Sequence, residues 1–202
     1  MTITSNRWEA YPWKNELKLQ VKRAILHGGE VIDAEFEGEH NPIDMMERAI
    51  VLAAFAVRRM VEKRLVSDAF ARTKLAVRSF NARVGEHFRP PFHGQAGGRA
   101  FSNYDFSTPQ MIAMKPGELA NEIIHSSQLM VLDTESFAAD GFLIASDWHM
   151  RRRVLHLSLD EFEAFGRSVL DDRVASVSDS WDPETGHVTS ERLRWEDLPR
   201  CR

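Results

Sequence analysis

Cysteine is almost missing from this chain. Cys201 is the single one and lies next to the C-terminal residue, so no intrachain disulfide or cysteine-based metal site is expected, and a nucleophile there would be hard to enclose. Long apolar runs are missing as well. The longest, Ala49–Val57, is nine residues, roughly half of what a helix needs to cross a bilayer core, so it reads as a buried core segment. The opening stretch MTITSNRWEAYPWKNELK has no apolar run behind a basic start, which argues against a signal peptide. These absences lead us to expect a soluble cytoplasmic protein with no membrane partner. No internal repeat or low-complexity segment is evident. No motif fixes a reaction, so whether the protein is an enzyme stays open at this stage.

What is present is ordinary in bulk and uneven in distribution. The 202 residues are 43% hydrophobic and 28% charged, a globular composition long enough to bury a core without staples. One α+β domain spanning 1–202 is expected, with 181–202 as a peripheral C-terminal extension. The net charge of −4 averages three unlike stretches. Residues 1–56 hold 6 Lys/Arg against 9 Asp/Glu, residues 57–100 hold 10 against 3, and residues 101–202 hold 10 against 18. A basic middle between acidic ends suits either internal pairing or an anionic partner. Internal pairing is preferred, because dedicated nucleic-acid binders usually have a basic overall balance.

Periodicity and punctuation give the elements. Leu17, Gln20, Val21, Ala24 and Ile25 recur at helical spacing over 15–27, with Gly28 and Gly29 as a stop. Alternation in VIDAEFEG predicts a strand with an acidic outer face. Asn41 and Pro42 open a helix expected over 42–65, whose terminal Arg58, Arg59, Lys63 and Arg64 suit the negative end of its dipole. Over 67–84 two readings compete. One is a helix capped by Ser67 or Asp68 and carrying Phe70, Val77 and Val84; the other, preferred, is a strand in KLAVRSFNA. Thr108–Pro109 suggests a short helix stopped by Pro116–Gly117, followed by an amphipathic helix over 117–131. GFLIASD and VLHLSL form an expected antiparallel hairpin around WHMRRR. Ser158 and Glu161 make a capping box for a helix over 159–170, and VASVS is a candidate last strand. Without strict β-α-β alternation, the expected fold is a mainly antiparallel sheet with helices 42–65, 117–131 and 159–170 packed on it.

The stretch EHFRPPFHGQAGGR, residues 86–99, is the most unusual. Its glycines have neither P-loop nor Gly-x-Gly-x-x-Gly spacing, and His87 and His93 are not at the helical i, i+4 spacing of a metal pair. Its arginines are more promising. Arg89 and Arg99 are interleaved with Phe88, Phe92, Phe101, Tyr104 and Phe106, a pattern suited to stacking on bases and contacting phosphates. Arg151, Arg152 and Arg153 in the hairpin turn would complete an anion-binding surface. The plainer explanation is that the aromatic residues anchor a long loop and the arginines solvate its rim.

Other chemistry is thinner. Asp147, His149 and His156 could approach across the hairpin as metal ligands, but each histidine has an ordinary structural explanation, and no metal or cofactor is expected. His125, Ser126 and Ser127 are helical neighbours and would not face each other as a triad requires. No Gly-x-Ser-x-Gly elbow exists. His125 instead would pair with Asn121 or Glu122, or line a groove; His87, His93, Asn121 and His125 are the groove candidates. Trp8, Tyr11, Trp13, Trp181 and Trp195 either clamp the termini onto the domain or anchor an interface. The leading expectation is a non-enzymatic binding or accessory protein with an unknown protein partner or a second copy of itself. The alternatives are a polyanion or nucleic-acid binder using the arginines, and an enzyme with a site around His87, His93, His125 or Asp147.

Overall fold

The fold is α+β, as expected. The computed structural model describes residues 7–29, 41–83, 103–133 and 139–198. The strand expected in VIDAEFEG lies outside the described residues, and so does the whole 84–102 segment with Arg89, Arg99, His87 and His93.

Two long helices start the chain. The first, α1 (Arg7–Gly29), extends past the expected span at both ends and includes Gly29. It buries the face read from its spacing: Leu17, Gln20, Val21 and Ala24. The second, α2 (Pro42–Glu62), begins where Asn41 Oδ1 accepts the Ile43 N–H at 2.9 Å, with Pro42 at the position that has no N–H to satisfy. Met46, Ala49, Ile50, Ala53, Val57 and Met60 are buried, so the long apolar run is indeed core.

Both readings of 67–84 hold in part. Ser67 Oγ accepts the Phe70 N–H at 3.0 Å and caps a five-residue helix, α3 (Asp68–Arg72), and strand β1 (Leu75–Asn81) follows directly.

Two expectations fail over 108–131. In place of a short helix after Thr108–Pro109 there is strand β2 (Gln110–Met114), paired antiparallel with β1. The Thr108 hydroxyl that was to cap a helix is instead bound to Asp105 Oδ2 at 2.9 Å, within a turn that also ties Ser107 to Asp105. Pro116 then opens α4 (Pro116–Ile124), where its missing N–H costs nothing, and Glu118 returns to accept the Lys115 N–H at 2.7 Å. This helix ends at Ile124, seven residues short of the expected 131. Residues Ser126–Asp133 form β3 against β4 (Ala139–Ser146). The pairing partner decides the outcome. Leu129 and Val131 pack on the main core while Met130 and Leu132 pack on the opposite cluster, which is strand alternation.

The hairpin of β4 with β5 (Arg153–Ser158) forms as read, completing a five-stranded antiparallel sheet in the order β2-β1-β5-β4-β3. Ser158 and Glu161 make the expected capping box of α5 (Leu159–Asp171), with 2.8 and 3.1 Å hydrogen bonds. All the helices contribute to one core against one sheet face, through residues such as Leu17, Ile50, Phe70, Ile123 and Phe162 packed with Phe142, Ile144 and Leu155. On the other face Phe80, Leu143, Ala145 and Val154 are covered by the fully buried Tyr104 and by Phe106. Tyr104 and Phe106 thus anchor their segment to the sheet. Tyr104 Oη donates to the Met150 carbonyl at 2.8 Å, and the Phe80 and Phe106 rings are 4.8 Å apart.

The strand expected in VASVS is β6 (Ser176–Trp181), but it is not the last: β7 (Val188–Leu193) follows within the stretch expected as a peripheral extension, and the two form a second hairpin paired only with itself. Four contacts hold its base. Arg194 Nε donates to Asp172 Oδ1 at 2.6 Å and to Ser67 Oγ at 3.0 Å, the Arg192 N–H donates to Asp68 at 3.1 Å, and Arg64 donates to the Ser190 carbonyl. Asp172 also accepts from Ser67 N and Oγ at 2.7 and 2.6 Å, so its buried carboxylate is compensated.

Candidate functional site

Helix α4 carries the chain from the edge strand β2 to the opposite edge β3, and its polar side presents Glu118, Asn121 and Glu122. The β4–β5 turn folds beside it. This turn is tight: the His149 and Met150 N–H groups return to the Ser146 carbonyl, and those of Arg152 and Arg153 to the His149 carbonyl. That coiling sets Trp148, His149 and Arg153 opposite the helix. Between them, with Ile112–Met114 of β2 as the apolar wall, is a cleft of about 380 Å³.

Glu122 organises this cleft. Its side chain is only 7% exposed, yet it holds a carboxylate, which must find donors when removed from water. His149 Nδ1 is hydrogen-bonded to Oε1, Arg153 approaches the same oxygen at 3.8 Å, and the Ser146 N–H lies 3.4 Å from Oε2. An ionised carboxylate only accepts, so the proton of this contact sits on Nδ1 of His149. Ser146 Oγ lies 3.2 Å from that same Nδ1 and is buried. No described residue bonds Nε2, and 35% of the His149 side chain is exposed at the cleft.

Trp148 separates this cleft from a second, of about 310 Å³, lined by Ile124, His125, Ser126, Ser127 and Asp147. Trp148 is 68% exposed. Its ring lies 5.1 Å from that of His125, whose Nε2 accepts from Arg58 at 3.1 Å. Arg58 is also paired with Glu62 at 2.6 Å.

The residues singled out in the sequence are therefore divided. Asn121 lines the first cleft and His125 the second; His125 pairs with Arg58, while Glu122 takes His149. Asp147, His149 and His156 do not converge. His156 is on the sheet, where its Nδ1 accepts from Arg78 at 2.5 Å; burial and the adjacent Arg78 charge hold its pKa below the ordinary 6.5. Among the described residues no group of three His, Cys, Asp or Glu is placed to hold a metal ion. Arg151 and Arg152 are exposed in the turn, whereas Arg153 is half-buried against Glu122. His87, His93, Arg89 and Arg99 lie outside the described residues, but the stem of their segment is described. The Arg83 N–H donates to the Asn103 carbonyl at 2.8 Å, and the Ala82 N–H to the Arg152 carbonyl at 2.7 Å.

Two residues that shape the cleft are not legible in the sequence. Helical spacing puts Glu122 on the polar face of its helix as a partner for His125, and nothing local says that a turn over twenty residues later will cover it. Trp148 reads merely as a turn residue. Tryptophan in a polar turn between two histidine-bearing elements was the available signal. No protein family matches the chain, and no curated protein or solved structure matches it. Among the described residues no helix is long and apolar enough to cross a membrane.

Proposed function

We propose that this is a binding protein whose ligand is a small organic molecule lodged between α4 and the β4–β5 turn. One observation carries the reading: the exposed Trp148 ring stands beside a histidine fixed by a buried carboxylate, at the mouth of a cleft of about 380 Å³. That size falls in the range of small-molecule sites, which combine an apolar wall with a few placed polar groups. Here the wall is β2 and the indole, and the polar groups are Asn121, His149 and Arg153. A screen of small polar aromatic compounds by thermal shift tests it. Compounds that raise the midpoint for the wild type and lose the effect in Trp148→Ala support the reading; stabilisation that survives this substitution in every case contradicts it.

A second reading, binding of a polyanion such as nucleic acid, is favoured by the stem contact. The Ala82 N–H bond to the Arg152 carbonyl holds Arg83 next to the turn that carries Arg151 and Arg152, and Arg89 and Arg99 follow Arg83 within sixteen residues of sequence. Retention on heparin that falls steeply with salt supports it, since phosphate-like contacts release counterions; passage through at low salt removes it. We place the protein in the cytoplasm. The exposed Trp181 and Trp195 support a protein partner or a second copy; light scattering tests the second copy, and a mass equal to that of the 23.1 kDa chain would count against it.

A further inference from the structure

We infer that the cleft is catalytic, with His149 Nε2 as the general base that activates water against a small carboxylic ester. This rests on the small-molecule reading of the same cleft and goes beyond it. The Glu122 carboxylate takes the Nδ1–H, which leaves Nε2 as the lone-pair nitrogen of a part-exposed histidine that lines the cleft. A base whose second nitrogen is oriented by a buried carboxylate is the arrangement general-base catalysis requires. Ser146 Oγ lies against Nδ1, not Nε2, and is buried, so it is not placed as a nucleophile. Glu118 already accepts the Lys115 N–H. Among the described residues no serine, threonine or cysteine lines this cleft, so water is the nucleophile we assign. The exposed Trp148 and the part-exposed His149 open the cleft to solvent, which suits attack by water better than carbanion chemistry that needs water excluded.

In the step, a water oxygen bonds to the ester carbonyl carbon while Nε2 takes the water proton. The tetrahedral intermediate then breaks its bond to the alkoxy oxygen, which receives the proton back from Nε2. Ester and water become acid and alcohol, and His149 returns to its starting state. Asn121, an exposed amide lining the same cleft, supplies an N–H for the developing oxyanion. The Trp148 ring offers a face to an aromatic leaving group. Glu122 is a positioning residue.

Hydrolysis of p-nitrophenyl acetate and butyrate by the full chain tests this. The wild type is expected to show saturable hydrolysis, with kcat lowered about 100-fold or more in His149→Gln and KM unchanged. Glu122→Gln, which keeps an acceptor for Nδ1–H, is expected to lower kcat with KM held, and Asn121→Ala to lower kcat in a surface position that does not threaten folding. Hydrolysis no faster than an equal concentration of free histidine, or undiminished in His149→Gln, overturns the inference. Compounds from the thermal-shift screen separate the two failures: if they still bind in a Trp148-dependent way, the cleft reading stands without catalysis.

Discussion

Arg64 occupies the left-handed region at φ 53°, which costs a residue with a side chain roughly 1–2 kcal/mol. It sits just past α2, where the Arg64 and Leu65 N–H groups return to the Val61 and Met60 carbonyls, a helix ending that glycine usually serves. The arginine compensates through Asp68 at 3.1 Å and the Ser190 carbonyl. Arg64→Ala keeps the strain and loses these bonds, whereas Arg64→Gly loses the bonds but not the backbone fit. Urea denaturation should therefore find Arg64→Ala less stable than Arg64→Gly, by about 1 kcal/mol. Gly141 is constrained differently: a Cβ there would stand 2.3 Å from the Leu157 carbonyl oxygen and 2.9 Å from Ser158 Cα. Gly141→Ala must part β4 from β5, and a loss of about 1–3 kcal/mol is expected in the same measurement. His156 gives a pH signature. Its folded pKa lies below 6.5 because of burial and Arg78, with Glu161 and Asp140 opposing. The unfolded chain therefore binds more protons in the interval beneath 6.5, so this contribution is complete above 6.5 and lost as pH falls. Stability measured against pH should drop less steeply below 6.5 in His156→Gln.

At the scale of elements, the β6–β7 hairpin has the most to reveal. Two strands alone are marginal in water, and this pair has Trp181 and Val188 exposed at its outer end. Its order depends on the base. Asp68 is held below its ordinary value: burial opposes this, but the Arg192 N–H and the Arg64 guanidinium outweigh it. Arg194 is raised for the converse reason, with Asp172 and Glu196 overcoming burial. Asp172→Ala strips the buried partner from Ser67 and Arg194, with an expected cost of up to about 3 kcal/mol. Amide exchange should then accelerate across Ser176–Leu193 more than across β1; equal acceleration throughout would contradict a local clamp. How well these elements could be read depended on where their information lay. Asn41–Pro42 and Ser158–Glu161 carry their own capping chemistry, so α2 and α5 start where the sequence says. Residues 126–133 do not: Leu129–Leu132 is continuously apolar, and four such residues have no period that separates helix from strand. The β4 partner settles it.

The whole molecule brings together what is far apart along the chain. Ile112–Met114, Asn121 with Glu122, and Trp148, His149 and Arg153 meet because α4 crosses from one sheet edge to the other and the β4–β5 turn coils against it. Asn121 and Arg153 could be picked out as polar candidates beforehand, but their juxtaposition could not. A buried carboxylate is recognisable only once the turn that covers it is in place. Two ion pairs of the basic middle stay within it, Arg58 with Glu62 and Arg64 with Asp68, and so leave its excess of positive charge unchanged. Arg78 with Glu161 does join it to the acidic C-terminal stretch, and internal pairing of the middle with the ends is supported for that residue. The central claim is that the cleft beside Glu122 and His149 is where a ligand binds. Nitrogen-15 NMR of the His149 imidazole, followed during titration with a compound from the thermal-shift screen, tests it most directly. The account predicts a ring protonated at Nδ1 in the unliganded protein, with Nε2 and the Trp148 indole shifting together as the ligand saturates. A ring protonated at Nε2, or saturable binding that leaves both side chains unmoved, would contradict it.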